Sequence, residues 1–111
     1  MKTKLLSLLG VALFVAVSCR QHDYRELTLH VPDMHNREAV QIVMQALGRG
    51  PGIVPGSVVL DPEKRMIKLT YDSLLSADKN FEYLVSKAGF AVNAIPADPE
   101  ARAALPADAR Q

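Results

Sequence analysis

The chain is 111 residues long, carries 13 basic against 12 acidic side chains, and holds one cysteine and no tryptophan. That length suits one small domain. A lone cysteine excludes an internal disulfide framework and a multi-cysteine zinc module, and a formal charge of +1 excludes the basic field of a nucleic-acid binder.

The first residues read as an address and not as part of a fold. Lys2 and Lys4 precede an apolar run over residues 5–17, broken only by Ser7 and Gly10. The run is well short of the roughly 20 residues that a spanning helix needs. A basic start followed by a short apolar core is the form of a secretory signal. It ends in Ala16-Val17-Ser18-Cys19, which resembles the bacterial lipobox, although leucine is more usual than Ala16 three positions before the cysteine. The resemblance implies that Cys19 is acylated and becomes the mature N-terminus. Ordinary cleavage between Ser18 and Cys19 also fits the small residues, but it leaves an exported thiol with no partner. The expected division is a signal peptide over 1–18, a lipidated tether over 19–23, a domain over 24–95 and an Ala/Pro-rich tail over 96–111. The implied location is the bacterial cell envelope, as a periplasm-facing lipoprotein held to the membrane by its lipid. Without Lys2 and Lys4 the mature chain is close to neutral, so charge says little about its partners.

From Tyr24 the pattern alternates, with Leu27, Leu29 and Val31 on one side and Glu26, Thr28 and His30 on the other. That predicts a strand with one buried face, stopped at Pro32. Asn36 suits an N-cap, and Ala39, Val40, Val43, Ala46 and Leu47 then recur at helical spacing up to Gly48-Arg49-Gly50-Pro51-Gly52. A second strand is expected over about 53–60, roughened by Pro55 and Gly56. The turn Asp61-Pro62-Glu63-Lys64 leads into a third strand over 66–71, where Ile67, Leu69 and Tyr71 alternate with Lys68 and Thr70. Ser76 or Asp78 is expected to cap a second helix built on Phe81, Leu84, Val85 and Ala88, with Gly89 closing it. Residues 90–95 read as a fourth strand. After Pro96, Asp98-Pro99-Glu100 starts a short helix that stops at Pro106, in a tail expected to dock weakly or fray.

The order β-α-β-β-α-β predicts an α+β, ferredoxin-like sandwich: a four-stranded antiparallel sheet with two helices on one face. The other face would lie open to solvent or to a partner.

Residues 24–95 resemble a heavy-metal-associated domain, the fold of copper chaperones and of periplasmic mercury-binding proteins. The resemblance rests on Leu27-Thr28-Leu29-His30-Val31-Pro32-Asp33-Met34-His35, Ala46-Leu47, Gly52-Ile53, Val58, Leu60-Asp61, Lys68-Leu69-Thr70-Tyr71-Asp72 and Ala88-Gly89-Phe90-Ala91-Val92, in that order. It implies a metal-handling role and a Met-x-Cys-x-x-Cys motif between first strand and first helix. Here Met34 and His35 are kept, but Asn36 and Ala39 stand at the two cysteine positions. Cu(I) and Hg(II) are soft ions that favour thiolate sulfur, so an amide and a methyl in place of the thiols break the implied site. The tail, Ala97-Asp98-Pro99-Glu100-Ala101 and Leu105-Pro106, resembles that of some bacterial members that end in a Cys-Cys pair. At that place this chain has Ala107-Asp108-Ala109.

Met34 and His35 remain the only candidates for a residual metal site, copper being the ion implied, with His30 or His22 as remote helpers. Against this, Met34 suits the end of the core, His35 a solvated loop, and His30 the open sheet face. By the resemblance Tyr71 stands where the family fold places an aromatic or apolar residue near the loop and reads as packing, and Arg37 and Glu38 read as a solvated helix start. A possible protein partner would meet the first loop or the open sheet face. Acylphosphatases share the topology, but their chemistry needs a glycine-rich, phosphate-cradling loop. The loop Pro32-Asp33-Met34-His35-Asn36 has no glycine, and Asp33 would repel an anion. No other catalytic spacing appears. The expectation is a non-catalytic binding protein whose thiolate site has been lost, or else a metal-independent adaptor.

Overall fold

The structure, a computed structural model, describes residues 22–110. The signal peptide, Cys19 and most of the tether lie outside the described residues.

Strand β1, Tyr24–His30, buries Leu27 and Leu29 and exposes the alternate residues, as its pattern predicts. It runs antiparallel to β3, Met66–Asp72, in a register from Tyr24↔Asp72 to His30↔Met66. On the other side of β3 lies β2, Val59–Asp61, also antiparallel, so the order is β1-β3-β2. The second strand is thus much shorter than expected. Ile53 makes an isolated bridge to Tyr71, and the Val54 N–H reaches the Thr70 carbonyl at 2.9 Å. Pro55 then removes a donor and Gly56 turns the chain at φ +79°. The Ser57 hydroxyl stands in for the lost ladder, donating to the Val54 carbonyl at 2.7 Å and accepting from the Thr70 N–H at 3.2 Å.

The predicted fourth strand is a correction. Phe90 and Val92 are fully buried, which is why residues 90–95 read as strand. Asn93, however, adopts φ +51°, a region where asparagine is tolerated, and folds the segment into a tight turn. Val92 and Ile95 exchange both backbone hydrogen bonds, at 2.9 and 2.8 Å. Only Asn93 reaches β1: its N–H donates to the His30 carbonyl, and its side-chain oxygen accepts from the His30 N–H, both at 2.9 Å. Among the described residues the sheet therefore has three strands.

Helix α1, Arg37–Leu47, starts where predicted, with the Asn36 side-chain oxygen accepting from the Ala39 N–H at 2.9 Å. It turns Ala39, Val43, Ala46 and Leu47 inward. Helix α2, Asp78–Lys87, buries Phe81 and Val85 against the same core as Leu27, Leu29, Ile67, Leu69 and Tyr71. Its N-cap is Ala77, with no side-chain cap bond, so neither Ser76 nor Asp78 caps it. Asp78 instead opens the helix and accepts a short hydrogen bond from the Tyr71 hydroxyl.

The tail is the second correction. Two short helices, α3 over Pro99–Ala104 and α4 over Ala107–Arg110, follow Pro96, so the described residues hold four helices and not two. The tail is docked on the domain through specific contacts. The Ser86 hydroxyl donates to the Pro96 carbonyl at 2.8 Å, the Asp98 N–H reaches the Ser86 carbonyl at 3.0 Å, and Ala109 is fully buried beside α1. Alanine gives a docking helix a small flat face, and the side-chain entropy lost on burial is nil. No helix among the described residues is long and apolar enough to cross a membrane.

Candidate metal site at the first loop

The first loop is built by the end of β1. Val31 is buried and its N–H bonds the Arg65 carbonyl at 2.9 Å, while Arg65 Nη1 donates to the Pro32 carbonyl at 2.9 Å. The chain then turns tightly, the Met34 N–H reaching the Val31 carbonyl at 3.1 Å. That turn drives Met34 inward. It is 3% exposed and belongs to the core cluster with Leu29, Ala39 and Phe90.

His35 goes the other way. Its Nε2 lies 4.0 Å from Asp33 Oδ1, and Asp33 is also 4.0 Å from Arg102 Nη1 in α3. Met34 and His35 are therefore neighbours in sequence that face opposite environments. Asn36 has both ends of its amide engaged, the oxygen on α1 and the Nδ2 donating to the Asp108 carbonyl in α4. Ala39 is fully buried. Arg102 ties the cover down, donating to the Arg110 carbonyl at 3.1 Å and the Gly89 carbonyl at 3.3 Å, with its guanidinium 5.7 Å above the Phe90 ring centre. The two places where the family resemblance would put sulfur, Asn36/Ala39 and 107–109, thus meet in space, joined by the hydrogen bond from Asn36 to Asp108. Nothing in the sequence reading anticipated that meeting.

This donor set does not fit a soft metal ion. The thioether is buried in hydrocarbon, the amide is spent on backbone partners, Ala39 has no ligand atom, and one imidazole remains. The other histidines are not brought to it. His30 is exposed on the open face of the sheet, and His22 lies at the far end of β1, about 20 Å along the strand. No group of three His, Cys, Asp or Glu side chains is placed to hold a metal among the described residues. Arg37 and Glu38 are exposed at the start of α1.

Tyr71 sits elsewhere than expected. It pairs with Arg25 at the end of the sheet away from the first loop, and it is packing there: 2% exposed, edge-on to Phe81 with ring centres 5.1 Å apart. The hydrogen bond it donates to Asp78, and next its burial, push its pKa up.

Asp72, which sequence reasoning passed over as a strand end, organises that end. Its carboxylate, 3% exposed as a residue, accepts from His22 Nδ1 at 2.8 Å, from the Asp23 N–H at 3.1 Å and from the Leu74 N–H at 3.0 Å. An aspartate at the end of a strand, just before a turn, is the available signal, because its side chain can close the turn on the backbone two residues on. The His22 hydrogen bond, then that of the Asp23 N–H, hold the Asp72 pKa below the ordinary aspartate value, against the opposing effect of burial. A depressed pKa stabilises the fold above the unfolded-state value and the benefit is lost as pH falls through the folded one. The urea midpoint should therefore drop below about pH 4, and Asp72→Asn should flatten that acid limb while lowering the midpoint at neutral pH. Asn36→Ala is expected to cost about 1–2 kcal/mol through the lost helix cap. It should also release the tail, read as faster tryptic cleavage at Arg102.

No family model matches the chain, and no curated protein matches it in sequence. Solved structures do. Oxidized MerP from Ralstonia metallidurans CH34 superposes with a TM-score of 0.58 at 21% identity, over 64% of this chain and 96% of that one. The mercury-bound form of MerP, the periplasmic protein of the bacterial mercury detoxification system, gives 0.53 at 24% identity, over 64% and 96%. The CopZ metallochaperone gives 0.55 at 20% identity, over 62% and 100%. The fold is heavy-metal-associated-like. At these identities the likeness speaks for the fold, and the residues of the site must speak for themselves. In this heavy-metal-associated-like fold the tail closes on the first loop at Asn36 and leaves His35 exposed.

Proposed function

We propose that this chain is a non-catalytic envelope lipoprotein, anchored through Cys19, that serves metal handling of the copper or mercury type without itself binding a soft ion tightly. The observation that carries the reading is the state of Asn36. At the position where a thiolate would be needed, its amide bonds α1 on one side and the Asp108 carbonyl on the other. The fold of MerP and CopZ supports the metal-handling context, and the occupied loop supports the loss of affinity. Met34 and His35 are the residues through which any residual copper contact would run, and no catalytic step is assigned. The exposed side of the loop at His35, or the open sheet face, is then the surface for a protein partner.

A competition titration with Cu(I) and Hg(II) on the soluble Arg20–Gln111 form tests this. The expected result is no stoichiometric binding tighter than about micromolar. Tighter binding that disappears in a Met34→Ala, His35→Ala double variant would overturn it and restore a working metal site. For the anchor, palmitate incorporation should vanish in Cys19→Ser. Incorporation that persists in that variant would refute Cys19 as the attachment point.

A further inference from the structure

We infer that the end of the domain bearing Tyr24, Leu74 and Leu75 rests on the phospholipid surface and holds the first loop away from it. The inference builds on the proposed acylation of Cys19. Five large apolar side chains are conspicuously exposed, and three of them gather at this end of the sheet: Tyr24 at 57%, Leu74 at 59% and Leu75 at 60%. Tyr24 is the register partner of Asp72, and the turn after Asp72 presents the two leucines. That turn is firmly made. The Asp72 carboxylate accepts from the Leu74 N–H at 3.0 Å, the Asp72 carbonyl accepts from the Leu75 N–H at 3.0 Å, and the Ser73 N–H donates to the Asp23 carbonyl at 2.7 Å. The leucines are thus held outward by backbone bonds, where a water-facing turn would ordinarily carry polar residues.

The lipid anchor enters at the same end. His22 is fixed there by its 2.8 Å bond to Asp72 and by stacking on Tyr24, with ring centres 5.3 Å apart. Cys19 lies three positions before His22, and an extended chain covers at most about 3.6 Å per residue. The clamped end therefore cannot stand more than about 11 Å from the membrane surface. A tyrosine, amphipathic and at home at the headgroup level, and two leucines able to enter the acyl boundary fit that position. Charge does not select the lipid, since Arg25 Nη2 pairs with Asp23 at 3.2 Å and Lys79 Nζ lies 3.9 Å from Glu82. Contact should therefore form on neutral and anionic membranes alike. At the other end of β1, seven residues on, His35 and the first loop project about 20 Å farther out.

The test uses the full acylated chain in vesicles of phosphatidylcholine alone, or of phosphatidylethanolamine with phosphatidylglycerol. Single-cysteine variants Leu75→Cys and Glu38→Cys carry a thiol-reactive, environment-sensitive dye. Acylated Cys19 has no free thiol, so one dye per chain reports an intact anchor. Doxyl-labelled lipid should quench the dye at position 75 at least about threefold more than that at position 38, in both vesicle types. Equal quenching at the two positions, with one dye per chain, would overturn the orientation and leave the anchor standing. A dye at position 75 that is shielded from water yet not quenched by doxyl-labelled lipid would also overturn it, because a second copy or another protein would then cover this end. Two dyes per chain, with no acyl mass, would show that the anchor itself is wrong and the orientation with it.

Discussion

Replacing Asn36 and Ala39 together by cysteine is expected to raise the affinity for Cu(I) by at least about a thousandfold. The two positions lie three apart at the start of α1, where side chains at i and i+3 are neighbours, with Cβ atoms about 5–6 Å apart. Two sulfurs reaching from such a pair can meet on one ion. The helix N-terminus favours the thiolate form, and Met34 already closes the inner side of the loop. The substitution removes the Asn36 cap and its hold on Asp108, so the tail should loosen as the metal site forms. Competition against a chromophoric Cu(I) chelator reads the affinity, and circular dichroism confirms that the variant is folded. A folded double-cysteine variant that still ignores Cu(I) would show that these are not the ligand positions of the fold.

Phe81→Ala should be the most destabilising single change in the core, costing about 3–5 kcal/mol. The ring is fully buried, packs edge-on against Tyr71, and closes on the backbone at Gly50. A Cβ built at Gly50 would lie 2.6 and 2.9 Å from two ring carbons of Phe81, so a glycine is required there by contact, and Gly50→Ala alone should cost about 1–3 kcal/mol. The two changes share one space. The double variant should therefore lose less than the sum of the singles in urea unfolding, because the alanine methyl fills part of what the ring leaves. Strict additivity would mean that the chain relaxes around Gly50 by another route.

The elements that depend on a single local pattern could be read from the sequence. The alternation in β1 and β3 and the helical spacing of Ala39, Val43, Ala46 and Leu47 each report one buried face, and the structure buries them. What escaped depends on a conflict between two signals. Phe90 and Val92 are apolar for a strand and are buried as one would be, but Asn93 in the left-handed region bends the chain first. Pro55 and Gly56 were visible as a roughness in the second strand, while their consequence rested on a serine hydroxyl that can replace a ladder bond. The loss of thiols at the site was plain from Asn36 and Ala39. The tail's return was not, because alanines at 104, 107 and 109 carry no periodicity strong enough to distinguish docking from fraying. Tyr71 was placed by analogy with a family pattern, and only the strand register moved it to the other end of the sheet.

A join made by the Asn36 amide differs in kind from one made by metal or by sulfur. It has no redox chemistry, no ligand to lose to a chelator and no group that titrates near neutral pH. The closure of loop on tail therefore does not depend on oxidant, reductant or metal supply. A part that stays shut through all of these can report none of them, and what it offers its surroundings is a constant shape.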